Sequence, residues 1–293
     1  MLNQIRIATR GSKLALWQAH HVGGLIAQKY PSIKIDYNVI TTSGDRIQDK
    51  PLYEVGGKGL FLKEIEEALL ADTADLAVHS LKDVPFELPE GLQLSTILPR
   101  EDARDALISR DGLKFNELKA GSKVGTSSLR RRYQLEAIRP DLEFVPLRGN
   151  VDTRLSKLKL GDYDAIILAA AGLNRLGLAS EISDFLPSIP SVGQGAIAIE
   201  TKSSATALID LLKVFHCNQT ARCVMAEREF LKVIQGGCEL PIACHVSELN
   251  PAEYLIQGYL ASADGLKVAQ KEMNVNADLL VESCQSLAEQ LLG

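Results

Sequence analysis

The stretch Ile7-Ala8-Thr9-Arg10-Gly11-Ser12-Lys13-Leu14 decides the fold, because its plan returns at Val124-Gly125-Thr126-Ser127-Ser128-Leu129. Each copy runs from a short apolar strand through a threonine and a small turn to a serine placed to cap a helix. After the first copy, Leu14, Trp17, Val22, Leu25 and Ile26 continue at helical spacing, and Ile33, Ile35, Tyr37 and Val39 alternate as a strand does. Residues 60–70 then read as a helix and 76–78 as an apolar strand. After the second copy a helix over 129–138 is stopped by Pro140, a strand covers 144–147, a helix 151–160, and Ala165-Ile166-Ile167-Leu168 is a buried strand. Two β-α-β-α-β units imply an α/β fold with two similar domains facing each other across a cleft, the usual place for a small-molecule site.

Pro187-Ser188-Ile189-Pro190-Ser191-Val192-Gly193-Gln194-Gly195 reads as a crossover, after which a strand over 196–200 returns the chain to its first domain. A helix from Asn218, alternating strands over 254–260 and 266–273, and a helix over 277–292 form a smaller α+β domain. The expected division is domain 1 over 1–97 and 196–215, domain 2 over 98–195, and domain 3 over 216–293. The polar segment 41–58 is longer than most connections in compact domains and reads as a lid or a disordered segment.

Composition narrows the function. A chain of 293 residues with 46% hydrophobic and 24% charged residues has the profile of a globular protein, and a net charge of −5 argues against a nucleic-acid binder. The first residues lack the pattern of a secretory signal, and no run approaches the roughly 20 apolar residues of a membrane span. The expectation is a cytoplasmic protein with no membrane or nucleic-acid partner. Five cysteines without a C-x-x-C pair indicate neither a disulfide framework nor zinc. His79 and His245 lack neighbours at metal-ligand spacing, so no metal is expected.

Arg10, Arg130, Arg131, Arg148, Arg154 and Arg175 fall at or near strand-to-helix junctions. In open α/β sheets those junctions form the ligand crevice, and a guanidinium beside a helix N-terminus suits a carboxylate. Ser12, Thr126 and Ser128 add hydroxyl donors. Taken singly, each arginine reads as a solvated charge and each serine as an ordinary cap; the recurrence points to a polyanionic ligand. Val78-His79-Ser80-Leu81-Lys82-Asp83-Val84-Pro85 leaves a strand and sets Asp83 before a proline-ended turn. Asp83 either shapes that turn or presents a carboxylate for proton transfer and cation stabilisation. Gly236-Gly237-Cys238-Glu239-Leu240-Pro241 is a tight turn that would present Cys238 outward, where other cysteines in apolar runs read as small buried hydrophobes.

These residues carry a resemblance. The motifs Arg10 to Gln18, Thr42-Ser43-Gly44-Asp45, Gly56-Gly57-Lys58-Gly59-Leu60-Phe61, His79 to Pro85, Gly125 to Arg131, Leu147-Arg148-Gly149-Asn150-Val151-Asp152-Thr153-Arg154, Gly193-Gln194-Gly195-Ala196 and Gly236-Gly237-Cys238 resemble, in order, those of the hydroxymethylbilane synthases, also called porphobilinogen deaminases. The resemblance runs over nearly the whole chain and weakens after about Val246.

It implies two domains similar to the lobes of periplasmic binding proteins plus a small third domain. It also implies stepwise deamination and head-to-tail joining of four porphobilinogen molecules into hydroxymethylbilane. A dipyrromethane primer would be bound through a thioether to Cys238, with Lys82, Asp83, Ser80, Thr126, Ser128, Arg130 and Arg131 around it. Arg10, Ser12, Lys58, Phe61, Arg148, Arg154, Arg175 and Gln194 would bind substrate, and Asp83 would be the catalytic aspartate. Each pyrrole brings an acetate and a propionate, which is why many arginines are needed. Arg132 stays a solvated charge, and the enzyme is expected to act as a monomer. A non-catalytic anion-binding protein and a cysteine-nucleophile hydrolase are the rival readings. The missing signal peptide and DNA-binding segment count against the first, and the lack of a helper histidine against the second.

Overall fold

The computed structural model describes residues 2–46, 61–235 and 240–293. The chain divides into two compact units, Met1–Gln48 with Gly57–Glu101 and Ala196–Arg222, and Asp49–Gly56 with Asp102–Gly195 and Cys223–Gly293.

In the first unit the elements run β1 (Gln4–Arg10), α1 (Lys13–Lys29), β2 (Lys34–Ile40), a single turn α2 (Ser43–Arg46), α3 (Lys63–Leu70), β3 (Leu76–Ser80) and β4 (Leu92–Ile97). The sheet has the order β2-β1-β3-β10-β4, where β10 is Ile197–Lys202. β1 pairs in parallel with β2 and β3, and β10 is antiparallel to both its neighbours. Alternation along these strands splits the core. Ile5, Ile7, Val78, Ile197 and Ile199 pack with Val22 and Ile26 of α1, while Ala8 and Ala77 face Ile65 and Leu69 of α3.

The second unit repeats the plan with β5 (Asp105–Ser109), β6 (Lys123–Gly125), α4 (Leu129–Glu136), β7 (Glu143–Val145), α5 (Val151–Leu160), β8 (Ala165–Ala169), α6 (Ala170–Arg175) and β9 (Asp184–Phe185). Its order is β7-β6-β8-β5-β9, again with a parallel trio and an antiparallel fourth strand. β1-α1-β2-α3-β3 and β6-α4-β7-α5-β8 therefore correspond element for element, as the short motif repeat implied. The same unit holds a smaller layer of α8 (Asn218–Ile234), which begins in the first unit, β11 (Ile242–Asn250), β12 (Glu253–Ala261), β13 (Val268–Asn276) and α9 (Leu280–Leu292). An antiparallel sheet β11-β12-β13 buries Cys244, Val246, Tyr254 and Ile256 against Phe230 and Leu287. A short helix α7 (Thr206–Leu212) completes the first unit.

Four strands were not legible. β4, β5, β9 and β11 were absent from the sequence reading because Leu92–Ile97 mixes polar and apolar residues, β5 opens on an aspartate, β9 is only two residues long, and β11 ends in a polar run. The helix expected over 60–70 is described from Lys63, because Leu62 occupies its N-cap in a helical conformation.

Candidate functional site

In an open α/β sheet the ligand crevice lies at the carboxyl ends of the parallel strands, where the order reverses. In the first unit that point is between β1 and β3, and a pocket opens there, lined by Arg10, Ser12, Leu14, Ala15, Gln18, Phe61, Leu62, Ile65, Val78, His79, Ser80 and Asp83. The strand ends deliver the polar groups. β1 ends on Arg10, and Ser12 caps α1 by accepting from the Ala15 N–H at 3.3 Å. β3 ends on Ser80, whose Oγ accepts from Gln18 Nε2 at 2.8 Å. Leu81–Asp83 then form a single 3₁₀ turn, pinned by the Leu81 N–H to the Ala196 carbonyl at 3.0 Å. Asp83 is exposed at the mouth of the pocket and Lys82 is half-buried beside it.

Arg10 is held on two sides. Its guanidinium pairs with Asp45 and lies 4.1 Å over the ring of Phe61. Burial opposes ionisation of Asp45, but hydrogen bonds from Arg10 and Thr42 outweigh it and hold the carboxyl below its usual range. Gly44 makes this possible, since a Cβ there would overlap the Phe61 ring. Gly44→Ala is expected to push Phe61 off Arg10 and raise the KM for an anionic substrate about five- to tenfold, a loss of ~1 kcal/mol of stacking and ordering. Steady-state kinetics measure it, and a KM within about twofold of the parent would count against this role.

In the second unit, Arg130 and Arg131 from the first turn of α4 converge on Asp105 of β5, which is fully buried. Arg130 Nη1 donates to Asp105 Oδ2 at 2.8 Å, Arg131 Nε to Oδ1 at 2.9 Å, Ser188 Oγ to Oδ2 at 2.8 Å and Gln194 Nε2 to Oδ1 at 2.9 Å. Burial alone would push the Asp105 carboxyl up. The two guanidiniums and the hydrogen bonds prevail and hold it well below the usual carboxylate range. Burial draws the Arg131 guanidinium down, with Asp105 opposing. Two cations on one carboxylate leave the cluster with an excess positive charge.

The remaining residues sit at the same edge of the second sheet. Thr126 is buried after β6 and its Oγ1 accepts from the Ser128 N–H at 3.2 Å, while Ser128 caps α4. Arg148 follows β7, Arg154 in α5 donates through Nε to the Gly149 carbonyl at 2.7 Å, and Arg175 at the end of α6 donates to the Gly195 carbonyl at 2.6 Å. The glycines are needed here, since Gly149 has φ +113° and Gly195 φ +89°. Arg132 pairs with Glu136 one helical turn on, as a solvated charge does.

The structure thus gathers Arg10, Ser12, Phe61, Ser80 and Asp83 in one pocket, and joins Arg130, Arg131 and Gln194 through Asp105. Lys58 and Cys238 lie outside the described residues. Asp105, Glu66 and Glu200 were not singled out by the sequence, and Asp45 entered only as the last residue of a motif. For Asp105 the available signal was an acidic residue opening the apolar run Ala106-Leu107-Ile108. No group of three or more metal-ligating side chains occurs among the described residues, and no helix there is long and apolar enough to cross a membrane.

The fold and these sites define a doubly wound α/β protein that presents cations, hydroxyls and one exposed aspartate at its strand ends, the chemistry of an enzyme acting on a polycarboxylate. Comparison with known proteins gives the particular family. Residues 5–210 match the porphobilinogen deaminase dipyrromethane cofactor binding domain, and residues 221–293 match the porphobilinogen deaminase C-terminal domain. Porphobilinogen deaminase of Citrifermentans bemidjiense is 49% identical over 100% of this chain and 92% of its own length. Those of Geobacter metallireducens (48%, 99% and 92%) and Maridesulfovibrio salexigens (49%, 100% and 96%) are similarly related. This chain belongs to the porphobilinogen deaminase family. Among solved structures, the methionine binding protein MetQ is similar with a TM-score of 0.46 and 12% identity over 74% of this chain and 92% of that one.

Proposed function

We propose that this chain, a hydroxymethylbilane synthase by its family, joins four porphobilinogen units with Asp83 as the catalytic carboxylate and Cys238 as the anchor of the dipyrromethane. The observation that carries the reading is the pocket at the β1–β3 switch point, where Arg10, Ser12, Ser80 and Asp83 meet. Its donor set fits a dipyrromethane: the acetate and propionate groups need cations and hydroxyls, and the pyrrole N–H groups need an acceptor. When bound, that group supplies the free α-carbon to which the units are added. Arg10, Ser12, Ser80 and Lys82 hold carboxylates at the first sheet, as do Thr126, Ser128, Arg148, Arg154, Arg175 and the excess charge of the Arg130–Arg131–Asp105 cluster at the second. Asp83 accepts hydrogen bonds from pyrrole nitrogens and opposes the positive charge that builds as ammonia departs. Lys58, Phe61 and Gln194 complete the set, Phe61 and Gln194 by fixing the cations Arg10 and the Asp105 cluster. The reading includes a monomer working in the cytoplasm without nucleic-acid or membrane partners.

The test is the denatured intact mass of protein purified from cells that make porphobilinogen. The parent is expected to carry one dipyrromethane adduct and Cys238→Ser none. An unmodified, inactive parent, or an adduct that survives in Cys238→Ser, would overturn the anchoring.

A further inference from the structure

Behind the pocket lies a cluster that the reading above does not use. His79 of β3 is 6% exposed and touches the pocket; its Nε2 sits 2.9 Å from Oε2 of Glu200 on β10, which is 0% exposed. Glu66 of α3, 8% exposed, faces the same pair. The register explains the meeting: His79 pairs with Ala198 and Glu200 with Ala77, so both side chains leave the sheet on the face that α3 covers with Ile65 and Leu69. A hydrogen-bonded structural network would satisfy every buried oxygen. Here Oε1 of Glu66 and Oε1 of Glu200 are buried with no hydrogen-bond partner among the described residues. Two carboxyls and one imidazole in an apolar setting ionise together only at a cost, so Glu66 holds its proton more tightly than a free carboxyl does.

We propose that Glu66 and Glu200 are positioning residues for the reaction: with His79 they form a buried array holding one exchangeable proton behind the pocket wall, which sets the net charge that the array turns toward the pocket. The proposal rests on the reading of the pocket given above. With the proton on Glu66, that carboxyl is neutral. Without it the array gains a negative charge that favours a cation forming in the pocket and weakens the hold on carboxylates. Burial, with repulsion from Glu200, pushes Glu66 up to about 7, and His79 opposes the rise, so the exchange falls at neutral pH. The other charges near the array are Arg10 from β1 and Asp83 from the turn after β3, both on the pocket. Elsewhere on the same elements, Glu64 accepts from the Ser43 N–H, Lys63 pairs with Glu67, and Lys202 of β10 pairs with Asp72. The buried face of α1 contributes Gln18 and no charge.

The test is a pH titration of the His79 imidazole by NMR in the holo-protein, with its signal assigned from His79→Gln, alongside the pH profile of kcat. The parent is expected to show an inflection near pH 7, that of the Glu66 carboxyl, in kcat and in the ring signal of its neighbour His79. Glu66→Gln is expected to lose both inflections and Glu66→Asp to keep them, with KM moving less than kcat. A His79 signal that stays flat through neutral pH in the parent overturns the proposal without any variant, and so does an inflection that persists in Glu66→Gln. A holo-protein that joins no porphobilinogen removes the functional reading alone, because the NMR titration still decides whether the array holds its proton.

Discussion

Asp105→Asn is expected to destabilise the protein by about 3–5 kcal/mol, the cost of leaving a buried charge without its partner. The carboxylate is fully buried and takes hydrogen bonds from Arg130, Arg131, Ser188 and Gln194, elements drawn from α4 and from the crossover before β10. An asparagine keeps the shape but removes the acidic partner that these two guanidiniums share, and its amide N–H groups point donors at donors. For a unit of this size the melting temperature should fall by roughly 10 °C or more, read by circular dichroism or calorimetry. A fall of less than about 2 °C would mean that the cluster contributes little to folding. The pH dependence has a definite sign. Because the folded-state carboxyl lies below its ordinary value, its contribution is complete above the normal carboxylate range and is lost as pH falls beneath it, so the parent should unfold in acid where Asp105→Asn shows a weaker response.

Asp83→Asn is expected to do the reverse, keeping the fold and losing turnover. Asp83 is exposed on a 3₁₀ turn fixed by backbone bonds, so its substitution should alter stability by no more than about 0.5 kcal/mol. If its carboxylate opposes a developing positive charge, removing that charge should lower kcat by at least about a hundredfold, the usual cost of losing one such group. Single-turnover measurements on holo-protein isolate the effect from primer assembly. A kcat within about tenfold of the parent would return Asp83 to the turn-shaping role that its place before Pro85 also allows.

The two variants separate kinds of residue that looked alike in the sequence. Arg10, Arg130 and Arg131 all stood at strand-to-helix junctions and all suited a carboxylate. Arg10 lines an open pocket with Asp45 beside it, whereas Arg130 and Arg131 lie buried on an internal aspartate. Ser12 and Ser128 each do what a serine before a helix ordinarily does, capping α1 and α4, and Ser12 also reaches the pocket. Candidate site residues carried by local motifs could be named from the sequence because one turn places them. Their partners were not, because those partners come from other elements.

By itself the sequence determined the local order: which runs are strands or helices, where serines cap them, and that the same β-α-β-α-β plan occurs twice. Periodicity, capping and turn chemistry act within a few residues, so they can be read along the chain. The strand over 196–200 was expected to return to the first domain, but tertiary structure alone decided that β10 lies between β3 and β4. It also decided that Asp105 meets arginines 25 and 26 residues away, and that His79 meets Glu200 across 121 residues. Those meetings depend on strand register and on which face each side chain takes, and a buried charge finds its counter-charge only when the sheet has set both in the same apolar layer.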